Sequence, residues 1–281
     1  MTTHESSSST VLAGGQDRAR RPHPAIGSQR PAADEGSGGA AAGAWPSWAR
    51  PQLERAVALA TAAPDSTSVA RLLYRSWYSP RVAAVPSGRL PLVGSYRAAH
   101  AGSARRVRRG GVSVVERYDL IGPDGWWRTW GRNWTPPRSR PGSIRLMLTP
   151  HPQRLAELVS VVTTRLLDSE LSWSLGCAID PRRVARLGCA VLDLPARESV
   201  PADLLDAITP LLQPVAPPLC LPVAPGVGLA EYPDNGMTFG EHRCHLIALA
   251  LRHPSGARDP LRSIAAVFAA HGLDPAAPYA A

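Results

Sequence analysis

The sequence contains no lysine, and all 31 of its basic side chains are arginine. Arginine stays protonated at physiological pH, so it can bind an anion but cannot readily act as a proton-abstracting base. Any chemistry of this chain must therefore proceed without a lysine. The formal net charge of +9 favours an anionic partner, for which a phosphate group, a nucleic acid and an acidic peptide are the candidates.

The sequence has only four cysteines, no CxxC pair and no long apolar run. No window approaches the roughly 18 uninterrupted apolar residues of a membrane span, and the N-terminus lacks a basic segment followed by an apolar one. The spacing of the cysteines fits reduced thiols and shows no zinc site. We therefore expect a cytoplasmic protein without metal, cofactor or membrane partner.

Composition divides the chain into two parts. Residues 1–44 are rich in Ser, Gly, Ala and Pro and are predicted to be a disordered leader, because they cannot bury enough apolar surface to offset the entropy of ordering. Residues 45–281 are predicted to form one α+β domain. Its first part, 45–140, begins with two helices, and its second part, 141–281, ends with two helices.

The order of elements in residues 141–281 predicts the type of sheet. IRLMLT, LSWSLGCAI, GCAVLDL and LCLPV have the composition of strands, and two helical segments lie between them. This βαββαβ order predicts an antiparallel sheet with both helices on one face. The segment PGVGLAEYPDNGMTFG that follows is predicted to be a loop.

Residues 81–140 are harder to interpret. The stretch up to Gly111 is rich in Pro and Gly and is predicted to be a loop, in which Arg105, Arg106, Arg108 and Arg109 are solvated. VSVVERYDLIG and GWWRTWGRNW then predict a hairpin around a Pro-Asp-Gly turn. Its second strand holds Trp126, Trp127, Trp130 and Trp134. Their spacing favours packing against the core, and an aromatic platform for bases or sugars is the alternative.

Several segments resemble the HopA-type type III effector family. The run APGVGLAEYPDNGMTFGEHRCHLIALAL and the tail FAAHGLDPAAPYA are similar to the family's GLAE-acidic-Pro loop, SFG-x-x-R helix start and GLDP-x-x-PY tail. LLYRSWYSP, IRLMLTP and WSLGCAIDPRRVARLGCAVLDL follow in the order of the family's Tyr-Tyr helix, Arg-bearing strand and FRLK-type strand. The resemblance covers the chain from Ser68 to its end.

The resemblance implies a function and partners. Bacterial relatives accompany a phosphotransferase-like kinase in gene clusters for class V lanthipeptides and thioamitides. By this resemblance the chain would be the lyase-type partner, which eliminates phosphate from phosphorylated Ser or Thr of a precursor peptide. A kinase, a precursor peptide and a cyclase are thus the implied partners, and nucleic acid is not among them.

Elimination of phosphate needs a base for the α-proton, cations for the phosphate and an acid for the leaving oxygen. Arg145, Arg186 and Arg243 are the predicted phosphate-binding residues, because the guanidinium fork matches phosphate oxygens bidentately. At Arg243 the predicted start of a helix would add free N–H groups and the positive end of the helix dipole.

The base is where the sequence departs from the resembling family, which usually has a lysine at the position of Gly176. His242 and His245 are the predicted substitutes, because imidazole titrates near neutral pH and they lie three apart beside Arg243. Tyr78 and Tyr232 are further candidates. The alternative is that both histidines are ordinary surface or half-buried residues.

Two functions therefore remain open, beside a third interpretation in which the chain is a secreted effector and its leader is an export signal. One is a carbon–oxygen lyase that acts on phosphoserine or phosphothreonine of a precursor peptide. The other is a non-catalytic subunit that binds a phosphopeptide or leader for a partner kinase or cyclase, and the missing lysine argues for it.

Overall fold

The structure is a computed structural model of the chain, and the predicted leader lies outside the residues that it describes. The described residues are 45–62, 66–84, 92–102, 104–109, 112–117, 119–134, 143–196, 200–233, 235–253, 256 and 258–280. Contacts between residues define one compact unit, Ala40–Ala281, to which all of them belong. None of the helices in these ranges is long and apolar enough to cross a membrane.

Helices flank a central sheet. Short 3-10 turns precede α4 and follow α6, and a π-helical turn, Tyr74–Tyr78, continues α2. The helices are α1 (Arg50–Ala60), α2 (Ser66–Leu73), α3 (Leu92–Ala99), α4 (Leu155–Leu166), α5 (Pro181–Val184), α6 (Ala202–Ile208), α7 (Phe239–Arg252) and α8 (Pro260–Ala270).

The strands form a seven-stranded sheet of order β3-β4-β6-β7-β5-β9-β8, in which all neighbours are antiparallel, and a separate antiparallel pair of β1 and β2. The strands are β1 (Ala104–Arg109), β2 (Val112–Arg117), β3 (Asp119–Ile121), β4 (Trp126–Trp130), β5 (Ile144–Leu148), β6 (Ser174–Ala178), β7 (Ala190–Leu194), β8 (Leu221–Ala224) and β9 (Val227–Glu231). The predicted α+β class and antiparallel sheet are confirmed.

The two faces of the sheet bury different clusters of apolar side chains. On β5, Leu146 and Leu148 pack with α3, α4 and α6, whereas Met147 packs with α1, α2, α7 and α8. We call these the α4 face and the α7 face. Each fully buried leucine contributes about 1.5–3 kcal/mol relative to an exposed one. Helices α4 and α6 lie on the same face, as the βαββαβ order predicts.

Two segments that are predicted as loops contain regular structure. Val227–Glu231 is strand β9, which lies between β5 and β8, and Leu92–Ala99 is helix α3. Strand β9 follows a tight turn at Gly226 (φ 74°), where a Cβ atom would lie 2.2 Å from the carbonyl oxygen of Gln213. The Gly and Pro residues that suggested a loop therefore build a hairpin.

The predicted hairpin around the Pro-Asp-Gly turn is confirmed for β3 and β4, but its first strand is shorter than predicted. Val112–Arg117 pairs with β1 instead of β4. Strand β1 lies within the segment that is predicted as a solvated loop.

Helix α7 approaches the π-helical turn closely. A Cβ atom at Gly240 would lie 2.1 Å from the ring of Tyr78, so only glycine allows this contact. Tyr78 also packs beside Phe239, with ring centroids 6.2 Å apart. The start of α7 and the π-helical turn therefore form one wall on the α7 face of the sheet.

Candidate functional site

Arg145 lies on β5 and points to the α7 face, since its neighbours Ile144 and Leu146 belong to the cluster on the α4 face. Its Nε donates to Asp193 Oδ1 at 2.6 Å, and its Nη2 donates to Asp193 Oδ2 at 3.3 Å. Asp193 is the direct cross-strand neighbour on β7. Nη2 also donates to the hydroxyl of Tyr232, whose ring lies 4.3 Å from the guanidinium carbon.

The charges of this group set the protonation states. Burial opposes the positive charge of Arg145, but the carboxylate of Asp193 and its hydrogen bond outweigh burial and raise the pKa of Arg145. Burial raises the pKa of Tyr232, and the negative charge of Asp193 adds to this effect. Tyr232 therefore keeps its proton at neutral pH. Nη1 of Arg145 makes no hydrogen bond to the described residues.

Arg128 is a second cation on the same face, and the sequence analysis missed it. It lies on β4 between Trp127 and Thr129, both of which are fully buried on the α4 face. Its Nη1 and Nη2 donate to Asp124 at 3.0 and 2.5 Å. This hydrogen-bonded pair raises the pKa of Arg128. The alternation of side chains in WWRTW places Arg128 and Trp127 on opposite faces of the strand. This pattern could have identified Arg128 from the sequence.

Arg128 and Arg145 belong to one electrostatic environment. The positive charge of Arg145 lowers the pKa of Arg128, and Asp193 raises it. Strands β6 and β7 lie between the two arginines. We call Arg128, Arg145, Asp193 and Tyr232 the sheet site.

Gly176 lies directly opposite Arg128, on β6. A Cβ atom at this position would lie 3.1 Å from Val191 Cγ2 and 3.8 Å from Arg128 Cγ. The position at which the resembling family has a lysine is therefore beside the sheet site. Here it carries no side chain, and the neighbouring cation is Arg128.

Arg243 is fully buried and binds the C-terminal tail of the chain. Its Nε donates to the carbonyl of Pro278 at 2.9 Å, its Nη2 donates to the carbonyl of Ala280, and its guanidinium stacks over Phe239 at 4.6 Å. Burial lowers the pKa of Arg243 to about 10, so it remains charged at neutral pH. No external phosphate can reach a side chain that is 0% exposed.

The start of α7 also holds its own anion. Thr238 caps the helix, and Thr238 and Glu241 form a capping box. Glu241 accepts hydrogen bonds from the backbone N–H and hydroxyl of Thr238 at 3.1 and 2.8 Å. The carboxylate of Glu241 thus takes the place that was predicted for phosphate at this helix end.

Arg186, the third predicted arginine, ties down the π-helical turn. Its Nη1 donates to the carbonyls of Arg75 and Ser79 at 2.9 and 2.6 Å. Two of the three predicted phosphate-binding arginines, Arg186 and Arg243, therefore bind main-chain carbonyls. Arg145 is the one that lies in the sheet site.

The predicted bases lie in different surroundings. His242 is 9% exposed, and its Nδ1 is 2.8 Å from Nη1 of Arg243, which can only donate. Burial, followed by the charges of Arg243, His271 and His245, lowers the pKa of His242 to about 4. Its accepting nitrogen is already bound at neutral pH. His245, one turn further along α7, is exposed.

Tyr78 and the four cysteines are buried. Tyr78 is 3% exposed, and burial raises its pKa well above its ordinary value, so it does not act as a base. All four cysteines are buried and free, and burial raises the pKa of Cys189 and of Cys220 to about 12. Within the described part of the chain, no group of three His, Cys, Asp or Glu residues could hold a metal ion.

Comparison with known proteins identifies a family. The model of the HopA1 effector protein family matches residues 130–280. The effector protein from Pseudomonas syringae pv. tomato strain DC3000 has a similar fold, with a TM-score of 0.55, 15% identity, and coverage of 82% of this chain and 96% of that chain. The effector protein from Pseudomonas syringae pv. syringae strain 61 matches with a TM-score of 0.56, 14% identity, and coverage of 83% and 96%.

At such identity the two solved structures show a shared fold only. No curated protein sequence matches the chain. The family match spans more than half of the 281 residues and includes β5 to β9, which build most of the sheet. The protein therefore belongs to the HopA1 effector protein family.

Proposed function

We propose that this protein binds a phosphorylated serine or threonine side chain of a precursor peptide, and that Arg128 and Arg145 hold the phosphate. The observation that carries the proposal is that these two cations point to the same face of the sheet, Arg128 in the cross-strand row of Gly176 and Val191 and Arg145 in the neighbouring row of Ser174 and Asp193. Three strand spacings across the sheet and a shift of two residues along it put their Cα atoms about 16 Å apart, which two long side chains can bridge with a phosphate between them.

The partly buried surroundings strengthen the attraction between Arg145 and an anion. Arg145 is 17% exposed in its side chain, and charges interact more strongly there than in water. Each arginine already has one carboxylate partner, Asp193 or Asp124. Nη1 of Arg145 faces no protein acceptor among the described residues, and the pair Arg128–Asp124 is half-exposed, so its carboxylate can be displaced by phosphate.

A second candidate is elimination of the bound phosphate, and Tyr232 favours it. Tyr232 keeps its proton and already contacts Arg145, so it can protonate the leaving oxygen. The carboxylate of Asp193 would accept the α-proton, the C–H electron pair would form the Cα=Cβ bond, and the Cβ–O bond would break. Phosphate would leave with the proton of Tyr232. The proton that Asp193 has accepted would then be transferred to the oxygen of Tyr232.

The chemistry of a phosphopeptide substrate determines which reactions must precede and follow its binding. A kinase must first phosphorylate the peptide, and the resemblance implies a phosphotransferase-like one. If elimination occurs, the product is a dehydroamino acid, which a cyclase can use as an electrophile. If it does not, the protein presents the phosphopeptide to that kinase or cyclase.

The test uses synthetic peptides that contain phosphoserine, phosphothreonine or unmodified residues. Titration calorimetry should show binding of the phosphopeptides alone, and Arg145→Met should abolish it, whereas Arg262→Met should not, because Arg262 is exposed on α8. Equal binding of phosphorylated and unmodified peptides would refute the proposal.

Mass spectrometry of the same mixtures separates the two candidates. Loss of phosphoric acid with the wild type but not with Tyr232→Phe establishes a lyase without lysine. Tight binding with unchanged mass establishes the non-catalytic subunit. In the latter case the variant Gly176→Lys adds an amine beside Arg128. If this variant eliminates phosphate, the wild type lacks only the base.

A further inference from the structure

The side of the sheet site formed by β4 carries two tryptophans whose arrangement goes beyond holding a phosphate. Trp127 and Thr129 are 0% exposed and belong to the α4 face. Trp126, Arg128 and Trp130 alternate with them and are half-buried. Alternate residues of a strand lie about 6.8 Å apart, so a tryptophan flanks Arg128 at that distance on each side.

Small residues lie beside these tryptophans on one flank. Trp126, Arg128 and Trp130 lie opposite Ala178, Gly176 and Ser174 of β6, in that order. A Cβ atom at Gly176 would lie 3.5 Å from the ring of Trp126, so the ring lies against bare backbone. On the other flank, Leu120 of β3 is the cross-strand neighbour of Arg128 and is 45% exposed.

The indole N–H groups of Trp126 and Trp130 differ from those of four other tryptophans. Four others donate to a protein oxygen: Trp45 to Leu261, Trp77 to Gln52, Trp127 to Asp119 and Trp173 to Leu166. Trp126 and Trp130 donate to no described residue. An indole that is half-buried and has a free N–H is suited to contact a ligand, because it offers an apolar surface and a donor.

We infer that Trp126, Arg128 and Trp130, which we call the strip, bind the phosphorylated residue together with the residues two positions before and two positions after it. The strip prefers apolar or aromatic side chains at these two positions. The inference rests on the proposed phosphopeptide binding. In an extended peptide, alternate side chains also repeat at about 6.8 Å and point to the same side. A phosphate on Arg128 therefore places the second neighbours over Trp126 and Trp130.

The occupant is an extended segment of the precursor peptide. The single positive charge of the strip lies between two aromatic rings, which matches one phosphate between two apolar side chains. The first neighbours of the phosphorylated residue point away from the sheet and make no contact with the strip. Their identity should therefore have little influence on binding.

The test compares phosphoserine peptides of identical composition with the full-length protein. One carries Leu at positions −2 and +2 and Ser at −1 and +1, and the other has these residues exchanged. We expect the first to bind about tenfold more tightly, since it buries two leucine side chains. Equal affinity of the two peptides would overturn the inference, whereas failure of both to bind better than unphosphorylated peptides would refute the proposed function.

Variants provide an independent readout. Trp130→Ala should remove the preference for Leu at +2 or −2 while phosphate-dependent binding persists, and Trp134→Ala, outside β4, should leave the preference unchanged. An adenine nucleotide that competes with the peptides and binds more tightly than they do would overturn the inference in favour of base stacking.

Discussion

The arginine that holds the C-terminal tail and the arginines of the sheet site differ in what their guanidinium groups bind. Arg243 is completely buried, and its donors go to two main-chain carbonyls and one histidine nitrogen. Arg145 and Arg128 bind carboxylates, and part of each side chain remains exposed. A carbonyl partner in the chain's own tail makes an arginine structural. A carboxylate partner near the surface can be exchanged for another anion.

The largest expected effect is on folding and follows from Arg243→Met. The carbonyls of Pro278 and Ala280 and Nδ1 of His242 would lose their partner inside the fold. We expect the free energy of unfolding to fall by about 3–5 kcal/mol. Urea unfolding followed by circular dichroism measures it, with Arg262→Met as the control. A variant with the wild-type midpoint would remove the structural role of Arg243.

The next effect is on binding and follows from Arg128→Met. The half-exposed pair with Asp124 contributes at most about 1 kcal/mol to stability, so the variant should fold normally. Loss of a charge-assisted hydrogen bond to phosphate should weaken phosphopeptide binding by about 10–100-fold. Unchanged affinity in titration calorimetry would mean that Arg145 acts alone.

A smaller effect is the dependence of stability on pH at His242, whose pKa in the folded state is lowered to about 4. Below about pH 6.5 the unfolded chain binds a proton at this histidine and the folded protein does not. The contribution of neutral His242 to the free energy of unfolding is therefore fully present above pH 6.5 and is lost as the pH falls toward 4.

Urea midpoints of the wild type and of His242→Asn between pH 7.5 and pH 4.5 measure this contribution. The decrease should be shallower in His242→Asn, whereas exposed His245→Asn should follow the wild type. Parallel curves for the wild type and His242→Asn would show that burial and the charge of Arg243 do not lower the pKa of His242.

The smallest expected effect belongs to Asp124→Asn. The hydrogen bonds from Arg128 lower the pKa of Asp124, so this carboxylate is charged and competes with phosphate at neutral pH. Its removal should tighten phosphopeptide binding by about twofold to fivefold, which corresponds to an exposed ion pair of below 1 kcal/mol. Weaker binding would indicate that Asp124 orients Arg128 instead of competing for it.

Local patterns predicted the strands and helices whose apolar alternation is undisturbed. IRLMLT and GCAVLDL became β5 and β7, and the helix that follows β5 became α4. Strand β9 escaped prediction because Gly and Pro surround it, although its residues are buried between β5 and β8. The formation of β9 depends on its burial between neighbouring strands more than on the strand propensity of its residues.

The candidate site was predicted only in part. Alternation along IRLMLT places the side chains of Arg145 and Ile144 on opposite faces of the sheet, and the structure agrees. Arg186 and Arg243 were equally good candidates by residue type, and their carbonyl partners are more than 30 residues distant in the chain. Arg128 and Asp193 come together with Arg145 only through the order β4-β6-β7-β5, which is not consecutive in sequence.

The sequence by itself determined that the protein has no lysine, carries an excess of arginine, and folds as an antiparallel α+β domain, because composition and apolar periodicity are local properties. The tertiary structure decided which arginines are available to a ligand. That availability depends on whether long-range packing brings a carbonyl, a carboxylate or no acceptor to each guanidinium group. The long-range packing of β4, β5, β7 and the C-terminal tail gives Arg243 main-chain carbonyls as partners and gives Arg128 and Arg145 carboxylates.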